Sequence, residues 1–142
     1  MTSYQVIVDH NQMVEQLILA GKYDWASSQI TSRNFPSKQG GKAQIDIFLV
    51  FFLLAIESKK AIWEMVEQDL RPAILKELLA LGAAYPDLQL ESPIVALGST
   101  WRYQDGGLYV PYLGRRGPYR DLHLPRLEGD WPPGWRFAAV RQ

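Results

Sequence analysis

The stretch Ile47–Ile56, IFLVFFLLAI, is ten apolar residues without a break, and three readings compete for it: a membrane anchor, a core strand or a docking surface. Length removes the first. A spanning helix needs roughly 17–25 mostly apolar residues, and this run is bounded by Asp46 on one side and by Glu57, Lys59 and Lys60 on the other. Upstream, KAQIDIF (Lys42–Phe48) alternates apolar with polar at Ile45, Asp46 and Ile47 before turning wholly apolar. A period of two that passes into a continuous run is the pattern of a strand buried on both faces. A buried helix is the rival, because short apolar runs do not separate the two. The run is therefore read as the central strand of a hydrophobic core.

Working outward, YQVIV (Tyr4–Val8) alternates and suits a short strand. Asp9 and Gln12 have capping-box spacing for a helix carrying Val14, Leu17 and Ile18 on one face and ending at Gly21. The segment from Lys22 to Gly41 holds no sustained period and reads as a long loop. Ser58 is placed as an N-cap for a helix with Ile62, Met65, Val66 and Leu70 at helical spacing. Pro72 suits the first position of a second helix, apolar at Ile74, Leu75, Leu78, Leu79 and Leu81 and stopped by Pro86. That helix is expected to pack across the Ile47–Ile56 strand. After Pro86 the runs shorten, separated by QDGG, GRRGP and EGDWPPG, the texture of small antiparallel strands and turns. Asp105–Gly106 marks a hairpin turn, and Pro111 marks an edge strand or a bulge.

The expected architecture is α+β in one domain over residues 1–142. Residues 1–92 are read as mainly helical with a buried strand, and 93–142 as an antiparallel β meander. At 142 residues, 47% hydrophobic and 21% charged, the chain is ordinary for a soluble globular protein. It has no cysteine, so a disulfide framework, a thiolate metal site and a cysteine nucleophile are excluded. A reducing, cytoplasmic setting is the expectation, and the N-terminus shows no secretory pattern.

Charge divides the chain. Residues 1–100 carry 8 Lys or Arg against 11 Asp or Glu, whereas 101–142 carry 7, all arginine, against 4. Eight of the seventeen aromatic residues fall in the same C-terminal segment. Arginine forks bind phosphate or carboxylate in bidentate fashion, and tryptophan and tyrosine stack on bases or anchor protein interfaces. Trp101, Arg102, Tyr112, Arg115, Arg116, Arg120, Trp131 and Trp135 are the candidate binding residues on this ground. A protein partner is the first expectation for them, a nucleic acid or nucleotide the second, and ordinary packing of arginine stems on rings the plain alternative.

Catalytic signals are thin. His10 and His123 stand far apart without ligand spacing, so neither a metal nor another cofactor is expected. There is no G-x-S-x-G elbow and no phosphate loop, and Ser99 and Thr100 have no base near them in sequence. Glu64 and Glu67 share a helix face, which leaves a carboxylate-dependent enzyme as a third reading against a solvated face.

The words LRPAILKELLALGAAYPDLQLESPIVALGSTW (Leu70–Trp101), YVPYL (Tyr109–Leu113) and DWPPGWRFAAVRQ (Asp130–Gln142), with LAGKYDWASSQITSRNFP (Leu19–Pro36) upstream, resemble a widespread family of small uncharacterised bacterial and phage proteins. That resemblance carries no catalytic residue with it. It implies an accessory factor of a phage or mobile element. The order of Leu70–Leu81, Ala96–Trp101 and Trp135–Arg141 is also similar to the C-type-lectin-like fold of formylglycine-generating enzymes and retroelement variable proteins. That likeness implies a binding scaffold whose loops, here Arg102–Gly107 and Arg115–Trp135, do the recognising. This chain lacks the cysteine pair for copper chemistry and an acidic calcium cluster, so oxidase activity and calcium-dependent sugar binding are both disfavoured. The combined expectation is a non-catalytic binding protein that uses its C-terminal arginine and aromatic surface.

Overall fold

The alternation around Ile47 does produce a strand, β3 (Lys42–Phe51), and the computed structural model, which describes residues 2–142, sets it second in an eight-stranded mixed sheet. β1 (Ser3–Asp9) runs antiparallel along one side of β3, with Ser3 opposite Phe48 and Asp9 opposite Lys42. The C-terminal strand β12 (Arg136–Arg141) runs antiparallel along the other, from Arg136 opposite Phe51 to Val140 opposite Ile47. Beyond β12 come β6 (Ile94–Val95), β9 (Tyr112–Arg116), β10 (Tyr119–His123) and β2 (Trp25–Ala26), and β5 (Leu70–Pro72) pairs with the far half of β12. Two short antiparallel pairs stand apart: β4 (Ile56–Glu57) with β11 (Asp130–Trp131), and β7 (Trp101–Arg102) with β8 (Leu108–Tyr109). The helices are α1 (Val14–Gly21), α2 (Ser58–Glu67), α3 (Leu75–Ala84) and the single turn α4 (Leu88–Glu91). The class is α+β.

Alternate side chains of β3 explain why its run is apolar on both sides. Ile47 packs with Val6, Val8, Ile94 and Leu122 against α1 and α3, whereas Phe48 and Val50 pack with Phe137, Trp131 and Met65 beneath α2. The sheet is thus a middle layer with apolar surface on each face, the arrangement a doubly covered strand needs. α3 is enclosed nearly all round, with Leu75, Leu78, Leu79 and Leu81 buried, and it packs on β1, β9 and α1.

The second half of the decisive run behaves otherwise. β3 ends at Phe51, its last residue opposite β12, and Leu53 and Leu54 are 85 % and 79 % exposed before Ile56 returns to the core in β4. The apolar run is therefore a core strand for its first half only. Hydrophobicity continues past the last ladder pair, but no covering element does.

Other local expectations shift for tertiary reasons. Pro72 lies in β5 rather than opening a helix, because Leu70–Pro72 pairs with β12 and the Ala73 amide donates to the Ala138 carbonyl. α3 starts only at Leu75, where Glu77 accepts from the Ile74 amide at 2.9 Å and from both arms of Arg71 at 2.9 and 2.7 Å. The Asp9–Gln12 pairing is replaced by a box one turn on, in which the Gln16 carboxamide accepts from the Met13 amide at 2.8 Å. Ser58 is the first residue of α2 and caps nothing; its hydroxyl donates to the Leu127 carbonyl and accepts from the Trp131 indole. The long loop holds β2, which joins β10 in parallel. The half read as mainly helical contributes β1, β3 and β5 to the main sheet. In the half read as a meander, the Asp105–Gly106 hairpin and the β9–β10 pair form as expected, but β12 leaves them to run parallel to β6 in mid-sheet. Pro111 is buried between β8 and β9 and outside both.

Helices α1 and α3 meet where Gly21 and Gly82 close on the ring of Tyr23, so tightly that a Cβ at either glycine would overlap it. The Tyr23 hydroxyl is enclosed there without a hydrogen-bond partner. Burial pushes its pKa up to about 12, against a smaller opposing pull from Arg120. An enclosed hydroxyl without a partner costs stability. Tyr23→Phe is therefore expected to leave stability at pH 7 unchanged or raised by about 1 kcal/mol. The fold holds the neutral phenol, so above pH 10 the unfolded chain releases its proton first and stability falls as pH rises toward 12, by at most about 3 kcal/mol for this group. Urea titrations at pH 7, 10 and 11 check both; a phenylalanine variant that keeps the full alkaline loss would overturn this account.

Candidate docking surface

The eight candidate binding residues do not form one site. Arg120 projects among the helices, where its Nη1 donates to the Gly21 carbonyl at 2.6 Å and the Lys22 carbonyl at 3.4 Å, its Nη2 to Gly82 at 2.7 Å and its Nε to Pro86 at 3.0 Å. Its guanidinium lies 4.8 Å from the centroid of the Tyr23 ring. These acceptors are carbonyls at the C-terminal ends of α1 and α3, which such a cation complements. Arg120 is thus occupied by its own chain.

Trp101 and Arg102 belong to the β7–β8 hairpin. Trp101 sits 4.9 Å from Tyr103 and 5.9 Å from Tyr109, ring centre to ring centre, and Arg102 donates to the Gly106 carbonyl across the turn. Beside them Asp105 accepts from the Tyr109 hydroxyl and from Arg126, which also reaches Glu128. The Tyr109 hydrogen bond, with that of the Gly107 amide, holds the Asp105 carboxyl below its ordinary value, and the same bond holds the Tyr109 phenol above its own. The lobe is self-neutralised.

Tyr112, Trp131 and Trp135 do come together, in a run of rings along the sheet face opposite α1 and α3. Centroid separations are 5.1 Å from Trp25 to His123, 4.9 Å on to Tyr112, 4.7 Å to Trp135, 5.2 Å to Trp131, 6.3 Å to Phe137 and 5.6 Å to Phe52. Spacings of 4.5–7 Å are those of mutually stabilising aromatic pairs. Trp131 is only 5 % exposed, and Trp101, Tyr112 and Trp135 are each partly buried against the core. Burial first, and then the charge of Asp121, pushes the Tyr112 phenol up. His123 is sandwiched between Trp25 and Tyr112 and lies 3.4 Å from Asp121.

Arg115 and Arg116 sit at the β9–β10 turn. Arg116 donates from Nε to the fully buried Asp121 at 2.5 Å, a bond that raises the guanidinium's pKa and leaves the pair neutral together. Arg115 is exposed, with one contact to the Gly117 carbonyl. No family model, curated protein or solved structure matches this chain. The C-type-lectin-like likeness is accordingly not confirmed, and the site rests on its own geometry.

That geometry singles out the end of the decisive run. Residues 51–56 form the apolar floor of an open hollow of about 670 Å³, with Glu57, Lys60, Glu64 and Asp130 around it. Phe51 is 58 % exposed, and on α2 the indole of Trp63 is 57 % exposed one turn beyond Lys60, with Val66 a further turn along. Single exposed apolar side chains are commonplace, but a contiguous patch marks an interaction site. Glu67 does not share the hollow with Glu64, so that carboxylate pair does not converge in it. The described residues include no group of acids and histidines fit to hold a metal ion, and no helix long and apolar enough to cross a membrane. Ser99 accepts from the Leu75 amide at 2.7 Å at the start of α3. The signal for the ledge was present in the sequence, as an apolar run too long for one strand's buried portion.

Proposed function

We propose that this protein is a binding module that docks a protein partner on the ledge formed by Phe51, Leu53 and Leu54. The observation that carries the reading is the exposure of these three side chains, around a Phe52 that packs inward on Phe137, beside a hollow large enough to receive several apolar side chains. Leaving them in water forfeits on the order of 1–2 kcal/mol per side chain that a partner would recover. Leu53→Ser with Leu54→Ser is expected to leave the melting temperature within a degree or two, because neither side chain is covered in the free protein. The same variant is expected to weaken partner binding at least about thirtyfold, the loss of two apolar anchors. The check is capture from nuclease-treated host extract with wild type and variant in parallel, followed by reconstitution with the purified captured protein. Capture that is equal for both would sink the reading.

A second reading has its own observation. On the face of β9, β10 and β2, the rings of Trp25, His123 and Tyr112 lie side by side, with Trp25 exposed at the end of the row. A row of rings suits stacking by the bases of single-stranded nucleic acid. Affinity for a fluorescent oligonucleotide would then fall several-fold between 50 and 200 mM salt and again in Trp25→Ala. Binding that ignores salt, or no binding at 50 mM, discards it. Arg116 is unsuitable for this test, since its removal strands the buried Asp121 carboxylate.

A further inference from the structure

Resting on the docking reading above, we propose that the segment seated on the ledge is an apolar stretch flanked by lysine or arginine. The floor of the hollow is hydrocarbon, but its rim carries three carboxylates, Glu57, Glu64 and Asp130, against one ammonium, Lys60. None of the three acids has an ion-pair partner among the described residues, whereas Asp105 and Glu128 are matched by Arg126 and Asp121 by Arg116. Of the nearby cations, Arg136, opposite Phe51 in the ladder, lines an adjoining hollow with Tyr4, Leu49 and Phe51, and Lys59 and Arg102 line another that Glu57 shares with Glu128; neither Arg136 nor Lys59 lines the hollow of the ledge. Unmatched acids around an apolar floor steer basic sequences in and repel acidic ones. They also repel the anionic surface of a membrane. A second copy is disfavoured on the same ground. An isologous contact sets a patch against itself, and here that would bring like carboxylates together over the ledge.

The test uses two synthetic 18-residue amphipathic helices, one of leucine and lysine and one of leucine and glutamate, each titrated into the full-length protein and followed by fluorescence anisotropy. The leucine–lysine peptide is expected to bind at least tenfold more tightly at 50 mM salt. Glu64→Lys with Asp130→Lys is expected to reverse that order, and the neutral pair Glu64→Gln with Asp130→Asn to bring the two peptides level. Leu53→Ser with Leu54→Ser is expected to abolish binding of both. Equal binding of the two peptides by wild type overturns the basic-flank proposal while leaving the ledge in place. Peptide binding that survives Leu53→Ser with Leu54→Ser overturns the ledge itself. If neither peptide binds, and sedimentation shows a concentration-dependent dimer that the leucine variant dissolves, the occupant is a second copy and the proposal is wrong. Absence of both binding and dimer is likewise against it.

Discussion

Replacing Arg120 by alanine is expected to cost about 3–4 kcal/mol of stability, the largest effect of any arginine in the chain. The guanidinium serves carbonyls of Gly21, Lys22, Gly82 and Pro86, and hydrogen bonds to a charged group contribute about 1.5–3 kcal/mol each in favourable settings. Four such bonds do not add, because they share one side chain and part of it is exposed to water. The cost also includes leaving carbonyls at two helix ends without a donor where α1 and α3 converge. Arg120→Lys separates the causes. A lysine keeps the cation but reaches fewer carbonyls from a single point, so about half the loss is expected to return. Full recovery would mean that charge at the helix ends is what matters, and the planar fork is incidental. The measurement is urea unfolding followed by circular dichroism. A loss under about 1 kcal/mol for the alanine variant would show that the fold does not need this side chain and would return it to the pool of ligand-binding candidates.

Trp131→Ala is expected to cost about 4 kcal/mol, within the usual range for emptying a buried aromatic site. The indole is enclosed by Trp135 and Phe137 and donates to the Ser58 hydroxyl at 2.8 Å, and that hydroxyl donates to the Leu127 carbonyl at 3.0 Å. This relay fastens the first turn of α2 to the chain leading into β11. Trp131→Phe retains most of the ring volume and loses only the donor, so about 1–2 kcal/mol is expected. With a urea slope of roughly 2 kcal/mol per molar, the alanine variant should unfold about 2 M earlier than wild type. A shift below about 0.5 M would show that Trp131 is not part of the core.

These two residues show how far the candidate site could be read in advance. Trp131 and Arg120 were selected with six others because arginine and aromatic side chains concentrate in the last 42 residues. Nearness in sequence is not nearness in space. β9 and β10 turn successive side chains to opposite faces, so Arg120 enters the layer of α1 and α3 while Asp121 and His123 stay with Tyr112. Trp25, which ends the run of rings on that face, comes from a loop without periodicity and arrives only because β2 pairs with β10. Leu53 and Leu54 were visible as apolar and were assigned to the core, since composition does not report whether anything covers a residue.

Local patterns alone determined that β1, β3, α1, α2 and α3 exist, that the class is α+β, and that Ile47–Ile56 is too short to span a bilayer. Each rests on backbone geometry, the period of two or 3.6 that decides which side chains share a face. The insertion of β12 between β3 and β6, the dispersal of the arginine and aromatic residues over four places, and the division of the run into buried strand and exposed ledge were decided by tertiary structure. They depend on pairings between residues distant in the chain, such as Ile47 with Val140 and Phe51 with Arg136. Which strand closes such a pairing is set by the competition of loop entropy with burial across the whole sheet. That ladder runs out at Phe51, and Leu53 and Leu54 beyond it are left facing solvent.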